Sequence, residues 1–432
     1  MSAALKNADF DLVVVGAGPG GIAAAAVAAE AGKHVCLLDN NPSPGGQIWR
    51  GFRSETAGNY PHGKAFLHWT ARLRSSGCAV WPGWQVVSAP APGRLRLESG
   101  TETRDLSFHR LVLATGARER FLPFPGWTLP NAMGAGGAQA LVKAGLDARR
   151  KRVVVSGSGP LLLAVAAGLA CAGAIVVGIF EQASLGHVAG FGLHTLLAQP
   201  GKIMEGAGYR LSTLTAPYRP GWWVSRAEGR GRVEQVTVTN GRKTRTLNCD
   251  WLACGFGLVP NLELPRLLGC RIVDGSVEVD ELQQTSLPGV ACVGELTGIG
   301  GLEKALIEGE IAGRATATPR MLRQLAQVRE FSRRMESAFA LRPELAALPA
   351  PETVVCRCED VTHGALRGYG SARAAKLHTR CGMGSCQGRI CGAAAEFLYG
   401  WQQPSIRPPI LPARISTLSS ALSAAKPDAS KQ

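Results

Sequence analysis

A glycine-rich turn that occurs twice, each time in the same setting, constrains this chain more than any other feature. The apolar run Phe10–Val15 ends in Gly16-Ala17-Gly18-Pro19-Gly20-Gly21, and an Ala-rich stretch runs on from Ile22 to about Ala31. This pattern predicts strand, tight turn and helix, followed by a second strand over His34–Leu38 that ends at Asp39. Some 140 residues later the order returns: Arg152–Ser156, the turn Gly157-Ser158-Gly159, a helix over Leu161–Cys171, and Ala174–Phe180 ending at Glu181. Two such βαβ units imply an α/β chain with two Rossmann-like nucleotide-binding domains built on parallel sheets.

In the first unit Gly16, Gly18 and Gly21 stand at the dinucleotide spacing. The first permits the tight turn, the second lets a pyrophosphate reach the backbone, and the third lets the helix pack on the strand. Pro19 and Gly20 complete the turn before the helix, whose N-terminal N–H groups and dipole favour phosphate. Asp39 lies 23 positions beyond Gly16, where a carboxylate accepts hydrogen bonds from a ribose. The second unit has Leu162 where the third glycine belongs. A side chain there lifts helix from strand, so this unit reads as vestigial, as an adenine-nucleotide holder or as an NAD(P) site, with Glu181 as the ribose acid. No Arg cluster follows Glu181 to favour a 2′-phosphate.

Three further segments point to FAD in the first domain. They are Pro44-Gly45-Gly46-Gln47-Ile48, the strand Leu111–Ala114 running into Thr115-Gly116-Ala117, and Val293-Gly294-Glu295. In this order they resemble the flavin disulfide-reductase-like superfamily. The resemblance implies that Gly46 and Gln47 flank the flavin, that Thr115 and Gly116 lie where the strand returns to the first domain, and that Gly294 and Glu295 meet the ribityl or pyrophosphate region. The redox-active cysteine pair of that superfamily is missing: Cys36 and Cys78 have no partner at CxxC or CxxxxC spacing. Disulfide reduction is therefore not expected.

The chain is long enough for two to four domains, and its hydrophobic content of 46% excludes disorder for most of its 432 residues. The formal charge of +15 is spread along the sequence, most densely at Arg149–Arg152, so specific nucleic-acid binding is not expected. The apolar run from Pro160 to Phe180 is broken at Gly173 and reads as a helix followed by a buried strand, not as a membrane span. With no recognisable signal peptide, a cytoplasmic protein is expected. Of twelve cysteines, five (Cys356, Cys358, Cys381, Cys386 and Cys391) fall near the C-terminus. The pairs Cys356/Cys358 and Cys381/Cys386 form two short thiolate couples able to converge on one centre; iron–sulfur, zinc and packed thiols are the alternatives, and CxC with CxxxxC leans to [2Fe–2S]. Cys391, five beyond Cys386, reads as a packed thiol, with a substitute ligand as the alternative. No catalytic acid or base is readable; His62, His68 and His363 read as surface or packed residues.

Ala114-Thr115-Gly116-Ala117-Arg118-Glu119-Arg120, then Pro123-Phe124-Pro125-Gly126-Trp127, resembles the large-subunit family shared by hydrogen cyanide synthase (its B subunit), opine oxidase (its A subunit) and D-hydroxyproline dehydrogenase (its α subunit). Gly255–Asn261 and Val293–Gly298 match it too, and Thr379–Arg389 resembles the bacterioferritin-associated-ferredoxin-like [2Fe–2S] module. The resemblance covers roughly residues 8–400. It implies a glutathione-reductase-like flavoprotein with a small C-terminal helical module. The expected division is 8–126 with 256–330 as a discontinuous FAD domain, 127–255 as the second Rossmann-like domain, 331–351 as linker helix and linker, 352–401 as the module and 402–432 as an extended tail. It further implies an electron-transfer subunit whose partners are a D-amino-acid-oxidase-like, FAD-containing β subunit, together with a small ferredoxin-like subunit. Electrons would pass to a quinone or other acceptor at the inner face of the membrane. The other readings are a stand-alone NAD(P)H-dependent reductase and a non-catalytic assembly subunit.

Overall fold

The first βαβ unit forms as predicted, with both the first strand and the helix beginning three residues earlier, at Asn7 and Pro19. A computed structural model describes residues 7–52, 54–55, 58, 61–402 and 406–423. The chain divides into two compact units. The first takes Met1–Ala117, Pro260–Arg329 and Ser405–Gln432; the second takes Arg118–Val259 and Glu330–Pro404.

In the first unit, strand β1 (Asn7–Val15) leads through the glycine turn into helix α1 (Pro19–Glu30) and strand β2 (Val35–Asp39). Helix α2 (Gly63–Ser75) and strands β3 (Ala79–Pro82), β4 (Gln85–Ala91), β5 (Arg94–Ser99) and β6 (Glu102–Leu113) follow. The sheet order is β3-β2-β1-β6-β5-β4, and the late strand Val290–Cys292 also pairs with β6. Strands β1, β2 and β3 run parallel, as do β1 and β6, while the β4-β5-β6 part is antiparallel. The long β6 serves both partners: Arg94–Ser99 along its first half, Val290–Cys292 beside Leu111–Leu113.

Helix α1 is half Ala, with Gly20 and Gly21 in its first turn, and is buried from Gly20 to Ala29, which suits close approach on both faces. Its partner is the helix Gly301–Arg314. A Cβ on Gly309 would lie only 2.2 Å from the Gly20 carbonyl oxygen, and one on Gly313 2.5 Å from that of Ala24. Backbone meets backbone here, so no side chain is able to yield. Gly309→Ala is expected to force the helices apart and destabilise the unit by about 1–3 kcal/mol, the usual range for overpacking. Thermal unfolding checks this; an unchanged Tm would show that the two helices are not held at this spacing.

The second unit holds an all-parallel five-stranded sheet in the order Tyr218–Pro220, Ile175–Glu181, Arg152–Gly157, Trp251–Gly255, Ala132–Gly134. A three-stranded antiparallel sheet, Trp223–Glu228, Gln235–Thr239 and Thr244–Asn248, packs its Val224, Val236 and Val238 into the same core as Phe124 and Leu252. The long apolar run beginning at Pro160 is the helix Leu161–Cys171 and the strand Ile175–Glu181, as expected. Among the described residues no helix is long and apolar enough to cross a membrane.

Several expected boundaries move. The first crossing falls at residue 117 instead of 126, and the return at 260 instead of 256. The reason is local: the Arg120 N–H donates to the Gly257 carbonyl at 2.9 Å, so these two stretches travel together. The chain after Gly294-Glu295 forms two helices, Gly301–Arg314 and Pro319–Ala338, interrupted where Ala315 adopts a left-handed conformation before Pro319. The expected linker helix and linker at 331–351 takes in the end of the helix Pro319–Ala338, and Leu345 beyond it is fully buried in the core of the second unit. Nor is the tail all extended. Its helix Ile415–Ser423 seats Thr417 on β5, with the Thr417 hydroxyl donating to Glu98 Oε2 at 2.5 Å and the Ile410 N–H donating to the Val87 carbonyl at 2.9 Å.

Candidate functional site

The first glycine turn forms a cradle. Gly16 has φ +107°, and a Cβ there would lie 2.2 Å from the Ala114 carbonyl oxygen. A Cβ on Gly21 would lie 1.8 Å from the Gly16 oxygen, so the helix sits directly on the turn. Gly18 differs: a Cβ there would meet nothing within 4 Å. This open side is where a phosphate would approach. Gly18 is the N-cap of α1 and offers no side chain to it, Pro19 fills the first turn, and no acidic residue competes there. The N-terminal N–H groups of α1 are thus left for a ligand. Gly20 faces the Ala305 carbonyl.

The second glycine pair closes the cradle from the side. A Cβ on Gly46 (φ +59°) would come within 2.9 Å of Gly18 Cα, and the Gly45 N–H donates to the Ala17 carbonyl at 2.7 Å. Gln47 is exposed, whereas Trp49 beside it is buried with an indole N–H that meets no acceptor. Asp39 Oδ2 accepts the Ala17 N–H at 2.6 Å, and Oδ1 accepts the Asn41 backbone and side-chain N–H groups at 2.7 Å. The carboxylate ties the turn to the end of β2, the position predicted for the ribose acid. Thr115 and Gly116 are clasped by Asn261: its amide donates to the Thr115 carbonyl at 2.8 Å and its N–H to the Gly116 carbonyl at 2.9 Å.

Gly294 and Glu295 form a 3-10 turn after the strand Val290–Cys292. Both Glu295 oxygens accept backbone N–H groups, from Gly300 at 2.7 Å and Gly301 at 2.9 Å, at the start of the helix Gly301–Arg314. Burial pushes its carboxyl pKa up. A buried ion pair stands behind the turn. Lys304 donates to the Gly294 carbonyl at 2.8 Å and to Glu308 Oε2 at 3.0 Å, and Glu308 accepts the Gly294 N–H at 2.8 Å. Arg329 completes the neutralisation of Glu308 at 2.9 Å. Sequence reasoning missed Lys304 and Glu308, because an i,i+4 Lys–Glu pair looks like a solvated helix face. The open turn, the uncapped helix and the closing Gly-Gly loop together fit a dinucleotide such as FAD.

In the second unit, Gly157 has φ +147°, and a Cβ there would lie 1.9 Å from the Gly255 oxygen. The misfit of Leu162 is absorbed, since the side chain is buried and packs toward Gly255, where a Cβ would lie 3.5 Å from Leu162 Cδ2. Glu181 is fully buried and accepts the Gly159 N–H at 2.7 Å and the Ala183 N–H at 2.8 Å. Burial pushes its carboxyl up to about 7 against these donors.

The cysteine module also lies in the second unit, on the strands Val354–Cys356 and Val361–Thr362 and the helices Ala372–Thr379 and Cys391–Tyr399. The Sγ atoms of Cys356, Cys381 and Cys391 lie within 4.8 Å of one another. Cys358 neighbours Cys386, whose backbone N–H lowers the Cys358 pKa while its thiol and burial push it up, the net direction being up. Of the four predicted ligands, the structure therefore gathers Cys356 with Cys381 and Cys358 with Cys386, and adds Cys391 to the first group. The Cys381 and Cys391 thiols, with the Gly382 N–H at 3.4 Å, hold Cys356 well below the ordinary thiol range. Gly384 admits no side chain, since a Cβ would lie 2.3 Å from Cys358 Cβ. Buried thiols with backbone N–H groups aimed at sulfur are compatible with an iron–sulfur site. All twelve cysteines are free thiols.

Two residues anchor this module. The Trp127 indole donates to the Val354 carbonyl at 2.6 Å, and Arg118 Nε donates to the Arg389 carbonyl at 3.1 Å. Both lie in motifs visible in the sequence, but nothing local indicates that their targets lie more than two hundred residues away. His363 stacks on Tyr399 with Nδ1 2.7 Å from the hydroxyl, a packed histidine.

Residues 10–312 match the pyridine nucleotide-disulphide oxidoreductase family. The hydrogen cyanide synthase subunit HcnB of Pseudomonas aeruginosa is 31% identical over 91% of this chain and 95% of its own length. The A subunit of opine oxidase from Rhizobium meliloti is 32% identical over 93% and 97%. Among solved structures, L-proline dehydrogenase from P. horikoshii shares the fold with TM-score 0.67 and 19% identity, over 96% of this chain and 81% of that one.

Proposed function

Because the chain belongs to the pyridine nucleotide-disulphide oxidoreductase family, and within it groups with HcnB and the opine oxidase A subunits, it is a FAD-dependent oxidoreductase, and we propose that it is the electron-transfer α subunit of a heteromeric dehydrogenase. The substrate class is an amino acid or opine whose C–N bond is oxidised on a D-amino-acid-oxidase-like β subunit with its own flavin; a small ferredoxin-like subunit completes the assembly. The observation that carries this reading is that one chain holds a flavin cradle and a thiol cluster while lacking any redox-active cysteine pair beside the cradle. When bound, FAD takes up electrons in pairs or singly and a [2Fe–2S] centre passes them singly, toward a quinone or other acceptor at the inner face of the membrane.

This chain's own residues bind and orient. Gly16, Gly18, Pro19, Gly20 and Gly21 present backbone to the pyrophosphate, Asp39 fixes that turn, and Gly46 with Gln47 borders it. Thr115, Gly116 and Gly294 form the facing turns, and Glu295 holds the helix start behind them. Cys356, Cys358 and Cys386, with a fourth thiolate from Cys381 or Cys391, hold the cluster. The catalytic acid and base belong to the partner in this reading.

A docking face supports the heteromer. The helix Leu185–Ala198 carries no Asp, Glu, Lys or Arg, and with the helix Pro200–Leu211 it leaves Leu193, Leu196, Leu197 and Met204 exposed, Leu197 by 78%. Patches of this kind mark interaction sites, and the relatives are themselves named as subunits. We assign this face to the β subunit.

Purification of the tagged chain from its native cells is expected to bring an amino-acid-oxidase-like chain with it, and a substrate of that complex should bleach both flavins without oxygen. Rapid bleaching of the isolated chain by NADH would replace this reading with the stand-alone reductase. Leu193→Asp with Leu197→Asp is expected to lower co-purification at least tenfold at unchanged flavin content. Unchanged co-purification, or loss of vesicle binding instead, would remove the β subunit from this face.

A further inference from the structure

The second nucleotide fold contains a segment of its own chain. Immediately after the helix Pro319–Ala338, residues 339–342 cross the turn Gly157-Ser158-Gly159. The Ser158 hydroxyl donates to the Phe339 carbonyl at 2.7 Å. The Gln182 amide donates to the Ala340 carbonyl at 3.0 Å and to Ser158 Oγ at 2.9 Å. In return the Arg342 N–H donates to Gln182 Oε1 at 3.1 Å and its guanidinium to the Gln182 carbonyl at 3.3 Å. The Phe339 ring lies 4.0 Å from where a Cβ on Gly159 would stand, and edge-on to Phe191 at 5.3 Å. The Arg342 guanidinium covers the Trp223 ring at 4.7 Å.

These are the positions a dinucleotide uses. In a βαβ nucleotide fold the middle of the glycine turn faces the pyrophosphate, and the residues at the end of the second strand face the ribose. Here that ground is held by two backbone carbonyls and a phenyl ring, and Gln182 is fully buried beneath them. The first unit provides the contrast, since nothing lies within 4 Å of a Cβ placed on Gly18. A carbonyl oxygen satisfies a hydroxyl or amide donor much as a phosphate oxygen would, so the segment substitutes for the ligand in geometry while carrying no negative charge.

We propose that residues 339–342 form a strap that occupies the second dinucleotide site and closes it to NADH, NADPH and free adenine nucleotides, with Ser158, Gln182, Phe339 and Arg342 as the residues that set this exclusion. The strap stands on the geometry of the second unit alone and does not depend on the partner assigned above.

Calorimetric titration of the full chain, with its first site saturated by FAD, with NADH, NADPH and ADP tests it by binding, separately from any activity. The wild-type chain is expected to show no saturable heat up to ~1 mM nucleotide, the weak end of measurable affinity. The double variant Phe339→Ala, Arg342→Ala is expected to bind ADP at least tenfold more tightly than the wild type. Should that variant fail to fold, Ser158→Ala with Arg342→Ala removes one strap bond and the guanidinium contacts and is expected to shift affinity in the same direction. Saturable wild-type binding of any of the three nucleotides would overturn the proposal. So would a folded strap variant that binds no better than wild type, because exclusion would then come from the Leu162 turn itself.

Discussion

Gly18→Val is expected to yield a folded protein that binds no flavin. A side chain at Gly16 or Gly21 would strike backbone within 2.2 Å, so those substitutions confuse misfolding with lost binding. Gly18 separates the two. Its backbone lies at φ −74° and ψ 179°, which any L-residue adopts, and a Cβ meets no protein atom within 4 Å. A ligand lying against that backbone would meet the valine. Flavin absorbance per chain should fall at least tenfold, while the far-UV circular dichroism stays that of the wild type. The melting temperature should fall too, because a ligand present at a thousandfold its Kd contributes about 4 kcal/mol that the variant forgoes. A yellow Gly18→Val protein with wild-type flavin content would place the dinucleotide elsewhere.

Cys386→Ser is expected to abolish the cluster while the flavin remains. Two CxxxxC pairs overlap in this sequence, Cys381 to Cys386 and Cys386 to Cys391, and they share Cys386. Either choice of fourth ligand therefore fails without it. The same loss is expected for Cys356→Ser and Cys358→Ser, read as disappearance of the long-wavelength visible absorption and of the reduced-state paramagnetic signal. The fourth position is decided by a matched pair of variants. Cys391 is the first residue of the helix Cys391–Tyr399, where the helix dipole favours a thiolate by about 0.3–1 kcal/mol. Cys381 has no such support, since it follows a left-handed Arg380 at the end of the helix Ala372–Thr379. Cys391→Ser should therefore lose the cluster and Cys381→Ser should keep it. The reverse outcome would restore the set read from the sequence, and a wild-type spectrum in Cys386→Ser would remove the cluster from this site.

The flavin cradle was legible because its requirements are local. Gly16, Gly21 and Asp39 belong to one βαβ unit, and the turn forces glycine wherever a Cβ would meet the Gly16 or Ala114 carbonyl. Gly46 was legible only by resemblance, since its reason is an approach to Gly18 from outside that unit. The buried Lys304–Glu308 pair was not legible at all. Helical spacing places the two side chains together but does not say that this face lies against the Gly294 turn. The stretch 331–351 misled in the other direction: it is expected as linker helix and linker, yet Leu345 within it is core.

By itself the sequence determined the two nucleotide folds, the flavin-type glycine segments and the presence of a cysteine module, because each rests on residues that meet within one turn or one βαβ unit. Only the tertiary structure decided that Cys391 joins Cys356 and Cys381, that Trp127 fastens the module at Val354, and that residues 339–342 lie across the second glycine turn. Those contacts join segments far apart in the chain. Their partners are chosen by which cores and backbone groups are left to satisfy after local structure has formed, and no short-range pattern of residue types encodes that choice.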